Sequence, residues 1–267
     1  MKTSIIISSC DLYSDCWLPM IHSFQKFWKD CPYEICIISN YEKLDEDGIR
    51  FIPVGEHKGF GSNMKKALEF IDSDYIIFFL EDFFLKEKVN NYMINSHLIH
   101  CVKNSIDFLK IDSSDIIFRD EMRINNSIYC LNPLDKKYSL NAAIAIWNKS
   151  ALKSLSVEGF SAWDFERKGI DYIIKNNINV KSQTIFSSLF NGNTIKKIHP
   201  AGAVTKGKWT IEGVRFLKEN NFNYLISKRK IEGKFSRYLT SFYSPNSFFW
   251  FPLGLILRVI QKLKINI

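Results

Sequence analysis

Two hydrophobic rhythms run along this chain. Near-continuous apolar stretches of a few residues alternate with longer ones in which apolar positions recur every three or four. The first kind predicts buried strands at 3–8, 33–39, 50–53 and 75–80, the last reading YIIFFL. The second predicts helices at 18–28, from the turn at 59–63 through Ile71, and at 89–104. Further strands are expected at 106–111 and 116–118, an apolar segment at 140–147, and helices at 149–155 and 170–176. Strands apolar on both faces, alternating with helices, imply an α/β fold with a mainly parallel sheet covered on both sides. After Pro200 the pattern turns irregular and basic, with helices expected near 211–220 and 253–263.

With 267 residues, 46% hydrophobic and 24% charged, the chain can bury a sizeable core, which excludes wholesale disorder. Its net charge of +8 suggests a polyanionic partner until the charge is located. Residues 196–267 hold 14 Lys and Arg against three acids, whereas the first 195 hold 22 against 25. The basicity therefore belongs to the last quarter. Two parts are expected, a catalytic domain over 1–210 and a basic, aromatic extension over 211–267.

The longest apolar run, 248–257, stops after ten residues at Arg258, short of the ~18 needed to span a bilayer. With Arg258, Lys262 and Lys264 it suits an interfacial segment on anionic lipid. The six cysteines form no CxxC pair, and the apolar run at 5–7 is too short for a signal peptide. A cytoplasmic location is expected, at the inner face of the membrane.

Candidate chemistry begins at Glu81-Asp82, which follows the 75–80 strand inside FFLEDFFL. Open α/β sheets bind ligands beyond the carboxyl ends of their strands, and paired acids there suit Mg²⁺ or Mn²⁺ and, through it, a diphosphate. A second acidic pair, Asp164 and Glu166, follows Trp163 and precedes the helical pattern at 170–176. His97 and His100 lie three apart without a carboxylate nearby in sequence, and Asp112-Ser113-Ser114-Asp115 reads as a turn or a rival metal motif. No GxGxxG, P-loop, HExxH or GxSxG occurs, which removes the simplest dinucleotide, P-loop, zinc-protease and hydrolase readings.

The run Gly59-Phe60-Gly61-Ser62-Asn63, a helix, then 74–85 with Leu80-Glu81-Asp82 at its strand end resembles bacterial glycosyltransferases of the GT-A fold. Downstream, 140–147 ending in Trp147, then Trp163-Asp164-Phe165-Glu166, then Lys206-Gly207-Lys208-Trp209 is similar to capsule and O-antigen sugar transferases. The resemblance covers roughly residues 3–210, and Leu-Glu-Asp stands where the family carries DXD. It implies a nucleotide-sugar donor, a glycan or glycolipid acceptor, and a divalent metal (Mn²⁺ or Mg²⁺) held by Asp82 with Glu81 in support. His199 is a further candidate ligand.

The resemblance also assigns roles along the chain. Ser9 and Asp11, after the first strand, are expected to meet the nucleotide, with Asn63 and Lys66 opening the following helix toward it. Lys206 and Lys208 would neutralise the departing diphosphate. Glu166, or else Asp164, would be the base of an inverting transfer, with Trp163 as the acceptor platform. Two rival functions stand beside this one. A sugar-phosphate nucleotidyltransferase of similar fold would resemble a Gly-rich, Arg-containing loop after the first strand, and 8–15 has no glycine. A non-catalytic basic module would bind membrane or nucleic acid, although nucleic acid is not the expected partner.

Overall fold

A computed structural model describes residues 1–111, 129–132, 134, 139–185, 195–199 and 202–233. The sequence expectations at 112–118 and 245–267 lie outside those residues. Four parallel strands form the first half of the sheet: β1 (Thr3–Ser8), β2 (Glu34–Ser39), β3 (Ile49–Pro53) and β4 (Tyr75–Leu80). β1 lies between β2 and β4, with Ile6 opposite Cys36 on one side and Phe78 on the other. The second half adds β5 (Phe108–Lys110), β6 (Tyr129–Leu131), β7 (Ala145–Asn148) and β8 (Ser182–Ile185).

Among the described residues this gives one eight-stranded sheet, ordered β3-β2-β1-β4-β7-β5-β8-β6. β7 runs antiparallel to both β4 and β5, and β6 antiparallel to β8. The sheet is thus mixed and mainly parallel, flanked by helices. The reversal at β7 brings the residues just before that strand to the edge where β1, β4 and β5 end.

Strand alternation divides the core in two. Ile5, Ile7, Ile77 and Phe79 face one layer, and Ile6, Ile76 and Phe78 the other. Over the first layer pack α1 (Trp17–Phe27) and α3 (Asn91–Asn104). Over the second pack α2 (Phe60–Ala67), α4 (Lys149–Leu155) and α5 (Ala162–Lys175). Trp147 is buried between Phe108 and Phe165, with ring centroids 4.4 Å and 5.9 Å away. Truncating a ring packed this way costs about 3–5 kcal/mol.

Residues beyond 200 join this body. A two-stranded hairpin, β9 (Val204–Thr205) and β10 (Lys208–Trp209), leads into α6 (Ile211–Glu219). Trp209, Phe216, Leu217 and Leu225 are buried in the first core layer. Thr210 caps α6 by accepting from the Gly213 N–H at 3.0 Å, and its own N–H donates to the Ala203 carbonyl at 2.8 Å. Among the described residues no helix is long and apolar enough to cross a membrane.

The W-x-F-E segment is not a loop ahead of a helix. α5 begins at Ala162, so Trp163 to Glu166 occupy its first turns. A capping box sets that start: Ser161 Oγ accepts from the Asp164 N–H at 3.0 Å while Asp164 reaches back to the Ser161 N–H at 3.3 Å.

Candidate active site

A cavity of about 760 Å³ opens beyond the carboxyl ends of the parallel strands. β1 supplies Ser8 and the following Ser9 and Cys10; β4 supplies Leu80 and the following Glu81 and Asp82; β5 supplies Lys110. Ala142 and Ala143 come from the approach to β7, Trp163 and Glu166 from α5, and Thr205 and Lys206 from the β9–β10 hairpin. The chain steps outward from β1 to β3 and then returns to β4 on the other side of β1, and such a switch in strand order is where open α/β sheets leave room for a ligand.

Glu81 and Asp82 sit on one wall. Asp82 is buried, and one of its oxygens accepts from the Val204 N–H at 3.0 Å while its carbonyl accepts from Ala203 at 2.7 Å. Gly202 makes that approach possible. It holds φ +87°, and a Cβ there would overlap the Asp82 carboxylate. Burial raises both carboxyls above their ordinary values; Asp82 raises Glu81 further, and the Val204 N–H and Lys197 pull Asp82 back.

The resemblance implies a divalent cation, and the donors present can be judged against one. Among the described residues no group of three His, Cys, Asp or Glu side chains gathers for a metal. Two adjacent carboxylates remain, Glu81 half-buried and Asp82 buried, the latter with an oxygen already taken. Hard oxygen donors at a cavity with room for a diphosphate fit an Mg²⁺ or Mn²⁺ that completes its shell with phosphate and water. Such an ion would also offset the burial that raises both and the Asp82 charge that raises Glu81 further. Glu81 and the remaining oxygen of Asp82 would hold it. His199 is not among the cavity-lining residues; its carbonyl accepts the Gly202 N–H at 2.9 Å.

The second acidic pair is split by the helix that carries it. Glu166 lines the cavity, and its Oε1 accepts from the Ala142 N–H at 2.9 Å. Asp164 points elsewhere. Its carboxylate takes the Ser161 hydroxyl at 2.7 Å and the Lys168 ammonium at 2.6 Å, and those bonds, Lys168 first, lower it to about 2. A carboxylate held that low is a poor acceptor for a hydroxyl proton at neutral pH. Trp163 stands at the mouth, 66% exposed.

The remaining sequence-predicted residues divide in the same way. Ser9 lines the cavity and accepts from the Trp17 indole at 2.8 Å. Asn63 lines it too, buried and bonded to His57 at 2.9 Å. Asp11 does not. Its carboxylate accepts from the Asn40, Tyr41 and Glu42 N–H groups at 2.7, 2.9 and 3.2 Å, tying the end of β1 to the end of β2. Lys66 is turned to the Val54 carbonyl at 2.7 Å, and Lys208 is exposed on β10, both off the cavity. Lys206 lines it from the tip of the hairpin, where Lys206 (φ 51°) and Gly207 (φ 73°) make the tight turn.

Three cations escape a reading of the sequence. Lys110 lines the cavity at the end of β5 and is 5% exposed. A signal for it exists: it ends an apolar strand as Glu81 follows one. Lys197 lines the cavity with its ammonium 4.0 Å from the Phe83 ring centre. Arg229 lies just outside, holding the loop after β1 in place. It donates to both Asp15 oxygens at 2.7 and 2.6 Å and to the Leu12 carbonyl at 3.0 Å, and it covers the Tyr13 ring at 4.3 Å. Burial opposes its charge, but the Asp15 carboxylate more than compensates and holds the guanidinium protonated above its ordinary value. No spacing links residues 15 and 229, so only the fold reveals the pair.

No protein-family model and no curated protein matches this chain. Among solved structures, S. aureus TarS 1–349 in complex with UDP is similar at 13% identity and TM-score 0.43, over 69% of this chain and 60% of that one. A TarS crystal structure matched over 59% of this chain is covered only to 30% of its own length, so the chain spans less than two thirds of these relatives. The galactosyltransferase LgtC with donor and acceptor sugar analogues is similar at 11% and TM-score 0.43, over 88% and 99%. A cytidylyltransferase from Leptospira borgpetersenii is similar at 13% and 0.40, over 87% and 100%. Such distant likeness fixes neither family nor reaction, and both must rest on the chemistry of the cavity.

Proposed function

We propose that this protein is a nucleotide-sugar glycosyltransferase. One observation carries the reading: a single cavity at the strand ends joins the adjacent carboxylates Glu81 and Asp82, three lysines and a separate carboxylate, Glu166, supplied by α5. The first two suit a diphosphate and its cation, and the third suits an incoming hydroxyl. A divalent ion, when bound, would stabilise the charge that develops on the departing diphosphate. Lys197 and Lys206 would act on the same charge electrostatically. Ser9 and Asn63 would contact the nucleotide from the wall formed by β1 and α2.

In the proposed transfer the acceptor oxygen bonds to the anomeric carbon as the bond from that carbon to the diphosphate breaks. The acceptor proton passes to Glu166, which the Ala142 N–H holds in place. This geometry supports inversion, with attack from the face opposite the leaving group. Trp163 would offer its ring to the acceptor sugar. The acceptor would be a lipid-linked glycan of a surface polysaccharide, and residues 245–267 would hold the enzyme at the cytoplasmic face of the membrane.

The test is a panel of UDP-, GDP- and TDP-sugars with and without Mn²⁺, read by thermal stabilisation and by release of the nucleoside diphosphate. Stabilisation by one nucleotide class is expected. No response to any of them would remove the reading, and release of pyrophosphate from a nucleoside triphosphate and a sugar phosphate would replace it with nucleotidyl transfer.

A further inference from the structure

Building on that reading, we infer that the mouth of the cavity is a membrane-facing surface. The rim formed by Leu12, Trp163 and the β9–β10 hairpin docks on an anionic lipid bilayer, and the acceptor reaches Glu166 from the lipid side. Leu12 is 80% exposed and Trp163 66%, yet both line the cavity, so they stand on its lip. Two large apolar side chains exposed on one rim, with exposed lysines on the hairpin beside it, have the makeup of an interfacial surface.

The cations of this face are adjacent. Lys206 and Lys208 are exposed on the hairpin, and the Trp209 N–H donates to the Lys230 carbonyl at 2.9 Å, which brings exposed Lys230 alongside. The bond from Arg229 to the Leu12 carbonyl fixes that segment to the lip. Ile231, bridged to Trp209, is 48% exposed, and the described chain ends two residues later at Gly233. Residues 234–267 follow Gly233 in the sequence.

Two occupants compete for this surface, the 34 residues that follow Gly233 in the sequence and a bilayer. That stretch carries five Lys and Arg and no acid, together with its ten-residue apolar run. Folded back onto the hairpin it would set like charges against one another. A bilayer with anionic headgroups satisfies Lys208, Lys230 and the stretch at once, and it accepts Leu12 at the headgroup boundary, leaving Trp163 at the lip for the acceptor sugar and Lys206 for the diphosphate. Charge decides for the bilayer.

Flotation of the full chain tests this, using vesicles of phosphatidylcholine alone or with one third phosphatidylglycerol. The protein is expected to float with the anionic vesicles only. The variant Leu12→Ser/Lys208→Glu/Lys230→Glu, its last 34 residues intact, should partition at least about tenfold more weakly. Lys208→Glu alone should fall between the two. Equal flotation of the triple variant would overturn the proposal, since the terminal stretch would then bind lipid without the rim. So would flotation on neutral vesicles, or binding of single-stranded RNA by a protein that ignores anionic vesicles. Binding of the UDP-, GDP- and TDP-sugar panel, measured without vesicles, keeps the two readings apart. If flotation behaves as expected and none of the panel binds, the donor reading falls and the docking surface stands.

Discussion

The two acidic pairs differ because one leaves a strand and the other rides a helix. Glu81 and Asp82 are neighbours at the end of β4, and the fold sets both at one cavity wall, Glu81 half-buried and Asp82 buried. Asp164 and Glu166 are two apart on α5, where positions i and i+2 do not share a face. One carboxylate turns into the cavity, and the other turns to the helix start and to Lys168. Close spacing in sequence therefore places acids together in the first case and separates them in the second. The electrostatics match: the strand pair is raised, and Asp164 is lowered.

Substitution can break this contrast at either pair. Glu166→Gln keeps an oxygen to accept the Ala142 N–H but loses the base, so kcat is expected to fall about 10²–10⁴-fold. Donor affinity, measured by calorimetry, should stay nearly unchanged; retained turnover would remove Glu166 from its proposed role. Glu81→Gln is expected to weaken binding of the nucleotide with Mn²⁺ while raising the metal-free melting temperature. The sign comes from the raised carboxyl. Its cost to the native state is absent below the ordinary value of 4.5 and grows as pH rises toward the folded value. The variant's thermal advantage should therefore be larger at pH 8 than at pH 5.

Asp164→Asn should have the smallest effect, and the opposite pH sign. A lowered carboxyl contributes stability above its ordinary value of 3.8 and loses it as pH falls toward about 2. The variant should melt slightly below the wild type at pH 7 and match it near pH 2, with kcat within about threefold. A large loss of turnover would mean that Asp164 itself takes part in the transfer, against its geometry.

The same contrast explains what is legible in the sequence. β1 and β4 are readable because Ile5-Ile6-Ile7 and the YIIFFL run are buried on both faces, a pattern no surface segment sustains. α4 is readable from its period alone. The start of α5 is masked because Trp163 and Phe165 suggest a motif, while the local signal is Ser161 with Asp164 three residues later. β6, β8 and the hairpin are strands of two to four residues, too short to establish a period. The reversal of β7 leaves no trace in composition, since an apolar strand reads alike in either direction. At the site, charged residues next to strand ends, Lys110 among them, can be found from the sequence, whereas Lys197 and Arg229 depend on contacts across the chain.

The bond between Arg229 and Asp15 spans 214 positions, and it sets an order of events during synthesis. The loop after β1 is made early, yet the guanidinium that secures it emerges after most of the cavity wall. Until then Asp15 has no Arg229, and the loop carrying Cys10, Leu12 and Tyr13 lacks its clasp. Contacts of such long range form late and slow the folding of the domains that need them. A nascent chain can thus build its central sheet first and complete the ligand site only once Arg229 has emerged, so that a product terminated before it would lack a finished site.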